Sequence, residues 1–506
     1  MPDVSSSPVS GVVPAPHPAP SSTMSARRKW LFLGVLSSGL FLVGVDNSVL
    51  YTALPELRRV LHTTELQGLW IINAYPLVLA GLLLGTGTLG DKIGHRRMWM
   101  IGLVVFMFAS LGAAFAPGPW WLIAARAFLG FGAATLMPAT LALIRTTFRD
   151  PRQLATAIGI WAATSTLGAA AGPVIGGFLL EHFWWGSIFL INIPIAIGAF
   201  VATLMIAPPN EANPAKHWDV VSSVYAMLAM LGMVMFIKEI SSYQNLWVVC
   251  GSLAAAVGGG VAFKLRQDKL REPLLEFDIF RSWMFTAGVI AAGMTLFIIG
   301  GAELMTTQRF QLSVGFTPLQ AGMLVAVAAI SSFFMSAIGG AIVHIVGFRT
   351  LIPGGLITST VGLSGMYVGV ANHVLWVTIT GLAFTGAGVG LVMSVSSTAI
   401  IGSAPRSRAG MAAAVEEVSY ELGTVISVAI VGSLLPFFYR LNVPSEIGGS
   451  IHDALAHPTL SNVAKAGYDT AYLDMILLMI AVTIFATAVT AYALRGNPKE
   501  TAYAHE

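Results

Sequence analysis

Residues 412–438 read AAAVEEVSYELGTVISVAIVGSLLPFF. The run is long and apolar enough to cross a bilayer as one helix, yet its first half carries Glu416, Glu417 and Glu421. A charge near the bilayer centre costs roughly 2.5–3.5 kcal/mol on insertion scales, so such residues face a bundle interior or a wet cavity and point to a functional site. Glu417 and Glu421, four apart, share one helix face, while Glu416 points about 100° away. Mutual repulsion and desolvation both disfavour the ionised form. Carboxyls in this setting can hold a proton near neutral pH and release it when a cation arrives. The plainer alternative, a helix mouth with its acids in water, suits one acid better than the cluster.

Working outward, the whole chain is of the same kind. Its 506 residues are 56% hydrophobic and 10% charged, with a mean hydropathy of +0.77. Soluble domains carry roughly 25% charged residues, so this is a polytopic, all-α membrane protein. The net charge of +3 says little about partners. A single cysteine, Cys250, excludes an intramolecular disulfide and a cysteine metal site. No GxxxxGK(S/T) occurs, so there is no phosphate cradle for nucleotide hydrolysis. Neither a cofactor, a metal, a nucleotide nor a nucleic acid is expected as a partner.

Spans of about 20 apolar residues fall near 29–52, 66–88, 97–116, 120–147, 152–180, 185–207, 218–238, 246–266, 282–305, 317–343, 350–370, 374–402, 408–436 and 470–494. The even count of fourteen puts both termini on one side. Assigning loops alternately gives 20 Lys/Arg on the side of the termini and 6 on the other, with Arg126 alone inside a span. That bias makes both ends cytoplasmic. Residues 1–28 are rich in Pro and Ser, without an apolar run, and are expected to be disordered. Met24-Ser-Ala-Arg-Arg-Lys29 looks like a natural beginning.

The chain also repeats itself. Gly87-x-x-x-Asp91-x-x-Gly94-x-Arg96 follows span 2, and Gly340-x-x-x-His344-x-x-Gly347-x-Arg349 follows span 10, at an offset of 253 residues. Ala127-Phe-x-Gly130-x-Gly132 in span 4 returns as Ala383-Phe-x-Gly386-x-Gly388 in span 12, at an offset of 256. Two matches in nearly one register imply two parallel six-span halves, at 29–208 and 282–495, with spans 7 and 8 (209–281) inserted between them. Substrate near the midplane between such halves is a recurrent transporter plan. The outer segment 437–469 is expected to form a small external cap, and 496–506 a cytoplasmic tail.

Several residues could carry chemistry. Asp46 lies midway along span 1 and suits proton or cation handling, or a helix–helix hydrogen bond. In GTLGDKIGHRR (87–97) the glycines permit a tight turn, and Asp91 is expected to pair with Arg96, Arg97 or a helix end. A charge cluster of this kind can lock one rocking state, so Gly87, Asp91, Gly94, Arg96 and Arg97 read as a conformational gate. Arg126 needs a partner or a cavity, and its repeat counterpart is Leu382. In span 5, Gly168, Gly172 and Gly176 share a face that lets another helix approach, while Pro173 and Gly177 suit a bend. Glu303, in GGAELMTTQRFQ (300–311), faces either the cavity or the outer vestibule. Tyr51, Trp70, Tyr75, Trp161, Phe310 and Tyr420 are available for cation–π contact, although most aromatics in such a chain pack or face lipid.

Together these elements resemble the major facilitator superfamily, and within it the fourteen-span drug:proton antiporter branch. VDNSVLYTALPEL (45–57) is similar to that branch's span-1 motif, GTLGDKIGHRR to the superfamily's loop motif, and RAFLGFGAA (126–134) to its span-4 motif. GAAAGPVIGG (168–177) resembles the antiporter motif of exporters. SIFLINIPIAIG (187–198) and EEVSYELG (416–423) are similar to quaternary-ammonium and methyl viologen efflux pumps. The likeness covers nearly all of 29–495. It implies a monomeric pump of the bacterial cytoplasmic membrane, its partners being lipophilic mono- and divalent cationic drugs, protons and membrane lipids. It assigns proton coupling to Asp46, Arg126, Glu416, Glu417 and Glu421. Asp91 also matches a functional motif position, and from the residues themselves substrate contact is expected of Asp46, Glu303, Glu416, Glu417, Tyr420, Trp70, Trp161 and Tyr51. Two departures stand out: Leu129 replaces a glutamine common in the span-4 motif, and His344 fills the acidic slot of the second loop.

Rival readings are export of another metabolite or antibiotic, a polytopic membrane enzyme, and a transporter-like sensor. Scarce intramembrane Lys/Arg argues against an anion. An enzyme would need an interfacial constellation, but His62, His95, His182 and His373 lie in separate loops. A sensor would have no need of so many costly acids.

Overall fold

The structure is a computed structural model describing residues 24–215, 218–242, 246–270, 273–404, 408–444, 454 and 460–496. Among these are fourteen helices long and apolar enough to cross a membrane. They are α1 (Ala26–Leu61), α2 (Glu65–Ile93), α3 (His95–Ala114), α4 (Pro119–Thr147) and α5 (Pro151–His182). A turn at Ser187–Leu190 leads into α6 (Asn192–Ile206), followed by α7 (Val220–Ser242) and α8 (Leu246–Gln267). The remaining six are α9 (Trp283–Arg309), α10 (Pro318–Val346), α11 (Phe348–Ala371), α12 (Leu375–Ser403), α13 (Ala409–Leu441) and α14 (Ser461–Ala493).

Capping sets several starts. Ser25 Oγ accepts from Arg28 N, which starts α1 at Ala26, three residues inside the stretch expected to be disordered. Thr64 and Gln67 form a reciprocal capping box on α2, and Thr317 and Gln320 form the same box on α10, again 253 residues apart. The turn after each helix is closed by a glycine at positive φ, +91° at Gly94 and +83° at Gly347, where a side chain would be strained. Tertiary contacts repeat as well. A Cβ at Gly130 would meet the Tyr75 carbonyl, and one at Gly386 the Ala328 carbonyl, so the two close approaches are themselves 253 residues apart in their targets.

Two cores result. One spans α1–α6 around Phe32, Trp99 and Phe106. The other spans α9–α14 around Phe297, Met366 and Tyr472, and also takes in Tyr51, Leu54 and Ile72 from the first half. Helices α7 and α8 form a hairpin clasped by glycine: Gly232 fits against Ser252 and Ala256, and Gly259 against Tyr225 and Ala229. Met230 and Val234 of α7 pack with Leu77 and Ala80 of α2 and with Val425 and Ala429 of α13. The inserted hairpin thus lies along the seam where α2 and α13 join the two halves.

Some boundaries differ from expectation. Helix α1 runs nine residues beyond the apolar run, to Leu61, because backbone hydrogen bonding continues after the chain leaves hydrocarbon. Arg126 is not the only arginine inside a helix, since Arg309 ends α9 almost fully buried, bonded to Asp469 at 2.8 Å. Residues 445–453 and 455–459 of the expected outer cap lie outside the described residues, as does the tail beyond 496.

Candidate functional site

The first half is built around one buried carboxylate. Asp46 sits mid-way along α1, where Gly44 packs against Ser165 and Ala169 of α5, and Gly172 of α5 packs against Val45 and Ser48. Gly168 approaches the Phe41 carbonyl and Gly176 approaches Val49, so the expected small-residue face is the α1–α5 contact. Gly177 does something else: it fits against Leu319 of α10, and Gly322 of α10 fits against the Pro173 carbonyl. The bend region of α5 is therefore a contact between halves.

Asp46 pairs with the Arg126 guanidinium of α4, and Asn192 Nδ2 of α6 donates to its Oδ1 at 3.0 Å. The same amide group donates to Ser110 Oγ of α3 at 3.1 Å. Arg126 Nε donates to the Ile71 carbonyl at 3.2 Å, and its Cζ lies 4.5 Å from the centroid of the Tyr75 ring. Asp46, Asn192, Arg126 and Tyr75 have no exposed surface. Pairing and hydrogen bonding on both sides are what a charge so placed requires. Satisfaction is incomplete, since Arg126 Nη2 and the Tyr75 hydroxyl have no hydrogen-bond partner among the described residues.

The acids of the second half divide by face, as their spacing predicts. Glu416 accepts from the Tyr420 hydroxyl at 2.9 Å, and that hydroxyl also reaches the Met393 carbonyl of α12. Tyr420 packs in a cluster with Phe285 of α9, Ile400 of α12 and Phe263 of α8, so this face looks towards α9, α12 and the inserted hairpin. Glu421 is turned the other way. It is buried, its Oε2 has no partner, and it lies within the electrostatic reach of Arg126, as it does of Glu417. Tyr75 lies in the field of Glu421, Glu417 and Asp46 together. Glu303 is buried on α9 one turn before Thr307, whose hydroxyl donates to the Tyr51 carbonyl at 2.9 Å. It faces the inter-half interior rather than an open vestibule, and Tyr51 lies in its field. Among the described residues no Lys or Arg stands within ion-pair distance of Glu303, Glu416, Glu417 or Glu421.

Other expected positions lie apart from these acids. Trp161 of α5 donates to Thr140 Oγ1 of α4 at 3.0 Å. Trp70 packs beside Leu66 and Ile237, away from the terminal end. Tyr75 and Phe310 already face cations of the protein itself, Arg126 and Arg309.

The gate loop needs a correction. Asp91 pairs not with Arg96 or Arg97 but with His95, Nε2 to Oδ1, at 3.0 Å. The turn at Gly94 brings His95 back over Asp91 and directs the two arginines towards the end of α6. Arg96 Nη1 donates to the Pro208 carbonyl at 3.1 Å, and Asn210 bridges the Arg97 N–H and the Ile93 carbonyl. Gly94 leaves room for Asn210, whereas nothing crowds Gly87. Asn192 and Asn210 were missed by sequence reading. Asn192 could have been noticed as an amide within the apolar run LINIPIAIG, but Asn210 sits in an ordinary polar loop.

All four hydrogen bonds that join the halves directly, among the described residues, lie at the end far from the termini. Thr307 and Gln311 donate to the Tyr51 and Thr52 carbonyls, Leu319 N donates to Glu181, and Arg440 meets Glu65 at 3.4 Å. Gln311 reaches across from a widened helical turn, Phe310–Val314, that follows α9.

Comparison with known proteins agrees with this architecture. Residues 36–302 match the family model described as Major Facilitator Superfamily. The chain is 33% identical over 499 residues to the multidrug efflux pump LfrA of Mycolicibacterium smegmatis, covering 94% of this chain and 98% of that protein. It is 35% identical over 422 residues to the methyl viologen resistance protein SmvA of Salmonella typhimurium, covering 83% and 85% respectively. Among solved structures, a bacterial homologue of the human lysosomal transporter Spinster, in an inward-facing and unoccupied conformation, superposes with a TM-score of 0.65 at 14% identity, covering 93% of this chain and 97% of that one. Fourteen spans in repeated halves, a family model over more than half the chain and a relative a third identical along nearly its whole length place the protein in the Major Facilitator Superfamily.

Proposed function

We propose that this transporter is a proton-driven antiporter of the bacterial cytoplasmic membrane, with both termini inside, exporting lipophilic mono- and divalent cations such as quaternary ammonium compounds, dyes, viologens and bisbiguanides. The observation that carries this reading is the imbalance of buried charge. Asp46 is matched by Arg126, but the buried Glu303, Glu416 and Glu421 and the half-buried Glu417 have no cation of their own within ion-pair distance among the described residues. Protons or positive guests are the available counter-charges. The relatives support the reading, one being named a multidrug efflux pump and another a methyl viologen resistance protein.

In the exchange, a cation enters between the halves from the cytoplasmic end and is drawn to Glu417 and Glu421. After rocking, protons from outside neutralise these acids and the cation leaves. Arg126, stacked on Tyr75, is paired with Asp46 and lies in the field of Glu421, and so couples the two half-sites electrostatically. Each elementary charge crossing the field is worth about 2.3 kcal/mol per 100 mV. A dication therefore needs two protons to cancel its electrical cost, and a third would let the potential itself drive export, which several acids can carry.

Ethidium accumulation in cells with and without the protein, and with and without an uncoupler, tests the scheme. Lower accumulation that an uncoupler abolishes is expected, and equal accumulation in all four conditions would refute it. Glu417→Gln should impair methyl viologen efflux more than ethidium efflux. Unimpaired dication efflux would remove Glu417 from its role.

A further inference from the structure

On the membrane-facing side of the first half, α3 and α6 leave a groove of about 500 Å³ near the terminal end. Ile101 and Val104 of α3 and Phe200 and Leu204 of α6 wall it, and Ile101 and Leu204 are exposed. Its end is capped by Arg96, Arg97 and Asn210. Because Asp91 is taken by His95, neither arginine has a carboxylate within ion-pair distance among the described residues. Arg97 is exposed, and only its backbone N–H is engaged, by Asn210. Arg28 adds a third positive charge beside the groove, its guanidinium holding the Met205 and Ile206 carbonyls at the end of α6.

We propose that this groove is a binding site for one anionic phospholipid, its phosphate held by Arg96 and Arg97 and an acyl chain laid between α3 and α6. The volume is that of an ordinary small-ligand site. Guanidinium groups match phosphate in charge and geometry, and basic pockets between spans at a membrane surface suit acidic headgroups. A cationic drug would be repelled by the cap, and a free phosphate ion would leave the apolar walls uncovered. The site is separate from the buried acids and does not depend on the proposed transport reading.

The full-length protein, purified in detergent and stripped of lipid, is incubated with equal amounts of dioleoyl phosphatidylglycerol and dioleoyl phosphatidylcholine, and retained lipid is counted by native mass spectrometry. A several-fold excess of phosphatidylglycerol is expected. Arg96→Gln with Arg97→Gln should bring the ratio towards one, whereas Arg97→Lys should keep much of the excess. Val104→Trp, which fills the groove and leaves the arginines alone, should lower retention of phosphatidylglycerol and provides a second test should the paired variant fold poorly. An unchanged excess in either the glutamine pair or the tryptophan variant would overturn the site. So would loss of the bound lipid to inorganic phosphate, which would mean that the arginines bind an ion only.

Discussion

Asp46 and Arg126 come from helices 80 residues apart and meet without any exposed surface. Removing one partner of such a pair strands the other charge, which typically costs about 3–5 kcal/mol, whereas replacing both by apolar groups can be nearly neutral. Arg126→Leu should therefore unfold at a markedly lower temperature than the parent, and Asp46→Leu with Arg126→Leu should recover most of that loss. Both variants should be inactive in efflux, which separates the pair's structural cost from its use. Asn192→Leu tests the other side of the carboxylate. Losing a donor to a buried charged group costs about 1–3 kcal/mol, read as a lowered midpoint in the same unfolding assay. A charge inside an apolar run announces itself, so Asp46, Arg126 and the span-13 acids were legible. Their partners were not, because pairing across helices is decided by packing that no local spacing encodes. Asp91 marks the opposite failure: four basic residues, Lys92, His95, Arg96 and Arg97, lay nearby, and the Gly94 turn rather than sequence distance selected His95.

Helices were legible wherever hydrophobicity sets their length, and less so where capping does. The run of α1 ends near residue 52, but the helix continues through the Glu56–Arg59 pair to a left-handed residue at His62. The glycine stripe of α5 was readable as a close-packing face, and its mate became clear only in three dimensions. A Cβ at Gly172 would lie 2.0 Å from Ser48 Oγ and 2.9 Å from the Val45 carbonyl, whereas one at Gly87 meets nothing within 4 Å. Gly172→Val should accordingly cost about 1–3 kcal/mol through overpacking. Gly87→Ala should be neutral or stabilising by about 0.5–1 kcal/mol, the helical gain of Ala over Gly. Thermal unfolding of the purified variants checks both, and a destabilised Gly87→Ala would mean that the glycine is needed in a second conformation. The α7–α8 hairpin is tied at its terminal end by Asp219, which accepts from Arg266 at 2.8 Å and holds Ser222. Arg266 and then Ser222 keep the Asp219 carboxyl below its usual value of 3.8. A depressed carboxyl stabilises the fold above the ordinary carboxylate range and loses that contribution as pH falls through it. The contribution of Asp219 should therefore be fully present above about pH 5 and be lost below it. Asp219→Asn should flatten part of the acid limb.

The two halves repeat each other in capping boxes, turn glycines and close approaches, yet their interiors are not equivalent. The first holds a neutralised pair, Asp46 with Arg126, whereas the second pairs Arg309 with Asp469 but, among the described residues, gives no base to Glu303, Glu416, Glu417 or Glu421. That asymmetry places charge imbalance on one side of the inter-half seam, where rocking would change what the acids face. Among the described residues, all the direct hydrogen bonds between halves lie far from the termini, so alternating access requires that this end open. On the proposed orientation, with the termini inside, this is the outer end, and Glu65–Arg440 is an ion pair that must break for it to open. Glu65→Cys with Arg440→Cys, in a chain whose exposed Cys250 is first replaced by Ala, puts a thiol on each side of that contact. A short bis-maleimide should join the two thiols and stop drug efflux, while each single-cysteine variant treated alike should keep it. Adding a transported cation from the cytoplasmic side should slow the crosslinking, by shifting molecules towards the state in which the pair has separated. Full efflux from fully crosslinked protein would show that export does not pass through an opening at this end.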